Sequence, residues 1–261
     1  MFPLRDHNPT GRVPYVTYAI MAANILIFFS YWGIMEDNAR LYSFFAQWAF
    51  VPAEFSNGRG ITGLFSSMYL HAGFMHLAGN MLFLWIFGDN MEDQMGHVGF
   101  FGFYTLSGVL ATLAHWASAP TSDVFLVGAS GAIAGVMGGY LLLYPRAKVD
   151  ILFIFIIFFR IFSIPAWIVL GAWFGLQLFS GVSTAATGGG VAYWAHAGGF
   201  VVGLALTLPI FLRLGGVTFW RTHHGHPPHP DAEYPWVASR VPTVRRGPSQ
   251  KSRVPNVKRR K

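Results

Sequence analysis

Cysteine is absent from this chain of 261 residues. Its absence excludes disulfide bonds, thiol nucleophiles, thiolate metal sites and iron–sulfur clusters. It leaves the redox compartment open, because a chain without thiols suits both reducing and oxidising surroundings.

Charged residues are scarce as well. They make up 11% of the chain, whereas soluble domains carry about 25%. Hydrophobic residues make up 53%, and the mean hydropathy is +0.43. A soluble fold of this size needs a more polar surface. The composition therefore all but excludes a cytosolic globular enzyme and indicates an integral membrane protein.

The few charges are unevenly distributed. Residues 221–261 hold ten Lys/Arg and two Asp/Glu, a net charge of +8, so the remaining 220 residues carry a net charge of −1. The same segment holds seven of the 15 prolines and four histidines. Such a composition cannot bury enough apolar surface to fold. We therefore predict a disordered basic tail over 221–261, an N-terminal segment over 1–14 and a membrane domain over 15–220.

The basic tail has three possible roles. It sets the membrane topology, holds anionic lipid headgroups or binds nucleic acid. The first role is favoured and nucleic-acid binding is not expected, since no feature besides charge points to it.

Six apolar segments are candidates for membrane-spanning helices, which need about 20 residues each. They are 15–35, 69–88, 98–118, 128–144, 165–180 and 191–212. A further run, 151–159, rises only about 14 Å as a helix, so we interpret it as an interfacial or re-entrant piece. The predicted fold is an all-α bundle of six spans. Its long first loop, 36–68, is either a folded cap or lies partly in the membrane interface.

The distribution of Lys and Arg predicts the orientation. Six spans place both termini on one side. If that side is the cytoplasm, sixteen of the 18 Lys/Arg lie inside, and Arg40 and Arg59 lie outside. This satisfies the positive-inside rule, and the reverse orientation violates it.

Several polar residues fall at one predicted depth. Spans two, four and six run in the same direction, so their first residues share the outer half of the membrane. His71, His76 and Asn80 belong to span two, Ser130 to span four and His196 to span six. Polar groups inside spans are costly and commonly functional.

Glycines four residues apart predict that spans four and six pack closely. Span four carries Gly131 and Gly135, with Gly128 just before the serine, and span six carries Gly199 and Gly203. Taken singly, each residue has an ordinary structural explanation: a serine that packs, a histidine that bonds a neighbouring helix, a glycine that permits contact. The combination is more specific than any one member.

The combination permits acyl transfer. A serine hydroxyl needs a base to become a nucleophile, and His196 is the candidate base for Ser130. No acidic residue lies at this depth in spans two, four and six, so a Ser–His dyad is the simplest hypothesis. The Asn80 amide and the His76 imidazole are suitable donors for the oxyanion that forms.

With these residues the chain resembles the rhomboid family of intramembrane serine proteases. The resemblance rests on HAGFMHLAGNMLFLWIFGDNMEDQMG (71–96), GASGAIAG (128–135) and AHAGGFVVG (195–203), and covers roughly 15–213. It implies Ser130 as nucleophile, His196 as base, His76 and Asn80 as oxyanion donors, and His71 as a structural or water-binding residue.

The resemblance also implies the setting. Substrates are expected to be single-span membrane proteins cut near the outer face, with membrane lipid as surroundings and no cofactor or metal. A bacterial inner membrane is the expected location. Two features depart from the family pattern. Ala134 stands where many rhomboids have an aromatic residue stacked on the catalytic histidine, and the first loop has Trp48, Arg40 and Arg59 but not the Trp-Arg pair of many members. His196 must then be held in another way, for which an aromatic residue from another helix is one candidate.

Two other functions remain as alternatives. One is a rhomboid-like pseudoprotease that binds membrane clients without cutting them. The other is a transporter or metal site built on the three span histidines, which would leave Ser130 without a role.

Overall fold

The computed structural model describes residues 2–155, 158–184 and 192–228, most of which are helical. The helices are α1 (Tyr15–Ser30), α2 (Asn38–Trp48), α3 (Pro52–Ser56), α4 (Gly63–Ser66), α5 (Phe74–Ser118), α6 (Ser130–Leu143), α7 (Ala166–Thr184), α8 (Tyr193–Arg213) and α9 (Val217–His223). Three strands accompany them: β1 (Phe2–Asp6), β2 (Lys148–Phe155) and β3 (Phe158–Pro165).

Four helices in the described part of the chain are long and apolar enough to cross a membrane. They are Tyr15–Ile34, Phe74–Ser118, Ala166–Ser183 and Tyr193–Arg213. Helix α6 is apolar but has only 14 residues.

Helix α5 turns back on itself at Gly96, whose φ of 69° and ψ of 166° are not helical. A Cβ atom on Gly128 would touch His76, and one on Gly131 would touch Ala111. In a straight helix His76 and Ala111 would lie about 52 Å apart, too far to contact two glycines that are three positions apart. The arms 74–95 and 97–118 therefore run side by side, and glycine permits the positive φ of the turn.

Helix α6 forms the centre of the bundle, between α5 and α8. A side chain on Gly199 would overlap the carbonyl of Gly131, and one on Gly203 would overlap the carbonyl of Gly135. The predicted glycines are thus the places where the backbones of α6 and α8 come into contact, as small residues allow.

Helix α1 is capped by a side chain from α5. Its N-cap residue, Pro14, offers no side-chain hydrogen bond. The carboxylate of Glu92 instead accepts from Val16 N at 2.9 Å and from Thr17 N and Oγ1, each at 2.7 Å. These backbone N–H groups have no partner within the helix, and a negative charge is favourable at this terminus.

The first loop contains a folded cap. Phe45 and Ala49, at the end of α2, pack with Phe28 and Tyr31 of the first helical segment and with Leu77 of α5. Part of the first loop thus packs on α1 and α5.

The all-α prediction is wrong for residues 2–6, 148–155 and 158–165. These form an antiparallel sheet in the order β1–β2–β3, with Phe153 opposite Arg160 and Pro3 opposite Ile151. Of the run 151–159, residues 151–155 belong to β2 and residues 158 and 159 begin β3. β-Branched and aromatic residues favour strands, a preference that an argument from helical rise alone overlooks.

The predicted boundary at residue 220 falls inside α9. Trp220 Nε1 donates to Leu142 O at 2.9 Å, and Arg146 N donates to Gly225 O at 2.9 Å. The packed part of the chain therefore extends into the segment that was predicted as tail. Residues 229–261 lie outside the described residues.

Candidate active site

Ser130 and His196 lie in contact, with His196 Nε2 2.7 Å from Ser130 Oγ. Ser130 is the first residue of α6, and His196 lies in the first turn of α8. Because Gly131 and Gly199 allow the two helices to meet beside them, the hydroxyl and the imidazole reach hydrogen-bond distance.

Both residues line a cavity of about 650 Å³. Its wall also includes His76 and Asn80 from the first arm of α5 and His115 from the second. The segment 118–127 contributes several residues, among them the exposed Val124 at the rim. This volume lies within the range of about 300–1,000 Å³ that is usual for ligand pockets.

Asn80 and His76 supply hydrogen-bond donors to this cavity. Asn80 is 7% exposed, and its Nδ2 has no hydrogen-bond partner among the described residues. A Cβ on Gly128 would lie 2.8 Å from His76 Nε2 and 3.5 Å from Ser130 Oγ. The imidazole and the hydroxyl thus approach the same point, and Gly128 leaves that point free.

His71 lies behind the cavity wall. It is fully buried, with its ring 5.1 Å from that of His76. The hydroxyl of Tyr31 accepts a hydrogen bond from the backbone N–H of His71 and donates one to the backbone carbonyl of His71, each at 2.8 Å. Its ring nitrogens have no hydrogen-bond partner within the described part of the chain.

Helix α7 contributes two residues that hold the imidazole. The ring of Trp173 lies 5.9 Å from that of His196 at an angle of 34°. An aromatic residue from another helix therefore lies beside His196, as the sequence suggested for a chain with Ala134. Gln177 Oε1 lies 2.8 Å from His196 Nδ1. Gln177 was not among the predicted site residues, although it is the one amide in the apolar segment 165–180.

The cavity wall is uncharged. None of the described residues that line it is Asp, Glu, Lys or Arg. Within the same ranges, no group of three or more His, Cys, Asp or Glu side chains has the geometry to bind a metal ion. A hydroxyl, a base beside it and unpaired donors are the components that acyl transfer requires.

Comparison with known proteins is consistent with this geometry. The model of the rhomboid domain matches residues 58–213. "Rhomboid protein 1, mitochondrial" of Saccharomyces cerevisiae is 27% identical over 195 residues, which cover 72% of this chain and 51% of that protein. "Rhomboid protease GluP" of Bacillus subtilis is 31% identical over 198 residues, covering 75% of this chain and 36% of the relative.

A third relative is "Rhomboid protease GlpG" of Salmonella choleraesuis, which is 24% identical over 195 residues, covering 73% of this chain and 61% of that protein. The chain spans about half the length of the yeast relative. Because the family match covers more than half of the chain and several helices are long enough to cross a membrane, this protein is a multi-pass membrane protein of the rhomboid family.

Proposed function

We propose that this protein is an intramembrane serine endopeptidase that uses Ser130 as nucleophile and His196 as general base. The observation that carries the proposal is the 2.7 Å contact between His196 Nε2 and Ser130 Oγ inside the cavity. Membership of the rhomboid family supports it, as do the names of two relatives, GluP and GlpG, which are called rhomboid proteases.

The first half of the reaction forms an acyl-enzyme. His196 Nε2 takes the proton of Ser130 Oγ, and Oγ bonds to the carbonyl carbon of the scissile peptide. The carbonyl oxygen becomes an oxyanion that accepts from the Asn80 amide, from His76 and from the backbone N–H of Ser130. When the C–N bond breaks, His196 returns the proton to the leaving amine.

The second half repeats these steps with water. His196 removes a proton from a water molecule, whose oxygen attacks the acyl carbon. The C–Oγ bond then breaks, and the proton returns to Ser130. The acyl group leaves as a carboxylic acid, and no cofactor takes part.

The topology proposed for this activity has six spans: α1, the two arms of α5, α6, α7 and α8. Both termini then lie on the cytoplasmic side, together with the sheet and with Arg146, Lys148 and Arg213. Ser130 lies in the outer half of the membrane. The residues beyond 228 act as a basic topology determinant that contacts anionic lipid.

The proposed substrates are single-span membrane proteins with small or helix-breaking residues at the cut, cleaved near the outer face. The relatives include proteins named mitochondrial and chloroplastic as well as bacterial ones. Among these settings, we place this protein in a bacterial inner membrane, which the compact six-span core favours.

Cleavage of a single-span reporter in proteoliposomes tests the proposal. Ser130→Ala and His196→Ala should each lower kcat/KM by at least about 10³-fold. Ser43→Ala, on the exposed surface of α2, should leave it unchanged. Ser130→Ala should also abolish labelling by a fluorophosphonate. Undiminished cleavage by either site variant would refute the assignment. Reporter binding by the wild type without cleavage or labelling would identify a pseudoprotease.

A further inference from the structure

The imidazole of His196 is bonded on both sides. Its Nε2 contacts Ser130 Oγ at 2.7 Å, and its Nδ1 contacts Gln177 Oε1 at 2.8 Å. Gln177 lies one turn after Trp173 on α7, so the same helical face presents an amide to the edge of the ring and an indole beside the ring. The predicted pair of Ser130 and His196 is thus extended by Gln177 to three groups in series.

A neutral imidazole carries one N–H, and the partner of each nitrogen decides where that proton lies. An amide oxygen only accepts hydrogen bonds. The contact with Oε1 therefore places the proton on Nδ1 and leaves the lone pair on Nε2. A base for Ser130 Oγ–H needs this tautomer, because a proton on Nε2 would leave it no lone pair to receive another.

We infer that Gln177 is the positioning residue of the site, which fixes the tautomer and the ring orientation of His196 by accepting the Nδ1–H hydrogen bond. The inference deepens the proposed function and rests on it. When His196 takes the serine proton, its Nδ1–H bond to Gln177 becomes charge-assisted and strengthens. The amide thus supports the imidazolium without itself gaining or losing a proton.

An uncharged acceptor suits this depth in the bundle. The described residues that line the cavity carry no charge, and a carboxylate placed among them would incur a large desolvation cost. An amide oxygen orients the ring at a lower cost, although it stabilises the imidazolium less than a carboxylate does.

Two substitutions at residue 177 test the inference. Gln177→Leu keeps the approximate shape of the side chain but removes the acceptor. It should lower kcat by about 100-fold, less than the roughly 10⁴-fold loss on disabling the carboxylate of a full triad, with little change in KM. Gln177→Glu keeps a carbonyl oxygen as acceptor and avoids the desolvation cost if its carboxyl stays protonated among these uncharged residues, so it should retain most of the activity. Leu176→Ala is the matched control, since this neighbouring side chain is 61% exposed.

The ¹⁵N chemical shifts of His196 in the full chain provide a readout that does not depend on cleavage. The wild type and Gln177→Glu should show the neutral ring protonated at Nδ1, and Gln177→Leu should show both tautomers. A purely structural role of Gln177 would lower the activity of both variants and leave the tautomer unchanged. Wild-type kcat in Gln177→Leu, or a wild-type ring protonated at Nε2, would overturn the inference.

The outcomes also separate this inference from the proposed function. If wild-type protein fails to cleave the reporter or to react with the fluorophosphonate, the proposed function fails, while the ¹⁵N shifts still report on Gln177. If Ser130→Ala abolishes cleavage and Gln177→Leu does not affect it, the assignment of Gln177 alone is wrong.

Discussion

The two ends of the helical bundle hold their polar side chains differently. The site end, defined by Ser130, His196 and Asn80, joins groups without formal charge: a hydroxyl, an imidazole and the Gln177 amide. The sheet end, defined by β1–β3 and Glu92, relies on carboxylates. Asp150 accepts from Arg5 Nε at 2.9 Å and from Ser163 Oγ at 2.5 Å, and Glu92 accepts from the first turn of α1.

The proposed function gives a physical reason for this difference. A buried carboxylate is costly unless several donors satisfy it. The sheet end provides those donors, and its carboxylates fasten one element to another. The site end keeps donor capacity unused, since Asn80 Nδ2 is buried without a partner in the described residues. An unpaired donor destabilises the resting protein and becomes useful when an oxyanion forms beside it.

The largest effect is expected from placing a charge at the site end. Asn80→Ala removes one donor and should lower kcat by about 10²–10³-fold. Asn80→Asp should lower it further at a pH where the new carboxyl is ionised, because a carboxylate repels the developing oxyanion and has no hydrogen to donate. Reporter kinetics in proteoliposomes measure both values.

Asn57→Asp is the control for this comparison. Asn57 is exposed at the end of α3 and lies outside the cavity, so its substitution should leave kcat unchanged. If Asn80→Asp were more active than Asn80→Ala, the site end would tolerate charge, and the contrast between the two ends would be wrong.

The next effect concerns the packing that holds the site end together. Gly203→Ala would drive a methyl group into the carbonyl of Gly135, and such overpacking costs about 1–3 kcal/mol. The thermal midpoint in detergent should fall. Activity should fall with it, since separating α6 from α8 also separates Ser130 from His196.

Gly171→Ala tests whether glycine substitution as such matters. A Cβ at Gly171 on α7 would meet no atom within 4 Å. The thermal midpoint of Gly171→Ala should therefore equal that of the wild type within the error of the measurement. An unchanged thermal midpoint for Gly203→Ala would show that α6 and α8 accommodate the added methyl group without losing stability.

The positions of the main helices were predictable, whereas the sheet was not. Segments of about 20 apolar residues can satisfy their backbone in lipid only as helices, so the predicted ranges fall within a few residues of α6 and α8. The run 151–159 is too short for that constraint to apply. Its pairing with residues 2–6 joins parts of the chain about 145 positions apart, which no local pattern reveals.

The site was predictable to a similar degree. Ser130, His196, His76 and Asn80 stand out because polar residues are rare in apolar segments, and the structure places all four at one cavity. Gln177 is likewise a polar residue in an apolar segment, but an uncharged amide is not the usual third member of a catalytic triad. Its contact with His196 depends on the tertiary packing of α7 against α8, which the sequence does not reveal.

A smaller effect is expected at the sheet end. Glu92→Gln would replace a carboxylate that accepts from Val16 N, Thr17 N and Thr17 Oγ1 with an amide that has one acceptor oxygen. The free energy of unfolding should fall by about 1–2 kcal/mol. Because Glu92 lies far from Ser130, kcat at 25 °C should not change.

Glu36→Gln, at an exposed position of the first loop, is the control and should alter neither quantity. A loss of kcat in Glu92→Gln without a loss of stability would mean that the two ends are coupled, and the division between catalytic and fastening roles would need revision.

The smallest effect separates two carboxylates of the sheet end by pH. Burial, together with the nearby charge of Asp89, raises the pKa of Asp6 to about 8, although the Tyr140 hydroxyl bonds Asp6 Oδ2 at 2.6 Å and lowers it. The folded protein thus keeps a proton that the unfolded chain releases above about pH 4. The free energy of unfolding should therefore fall as pH rises from about 4 to about 8, then level off. Because Asp6 is partly exposed and screened, we expect a total loss of about 1 kcal/mol.

Asp6→Asn should flatten this slope, and Asp150→Asn should not. Burial of Asp150 raises its pKa, but hydrogen bonds from Ser163, His7 and Arg5 outweigh burial and lower the pKa to about 2. The stability that Asp150 contributes is therefore complete above about pH 4 and is lost only in stronger acid. Unfolding in detergent between pH 5 and 8 measures both variants. A slope that persists in Asp6→Asn would place the responsible proton elsewhere. A slope that disappears in Asp150→Asn would assign that proton to Asp150 and not to Asp6.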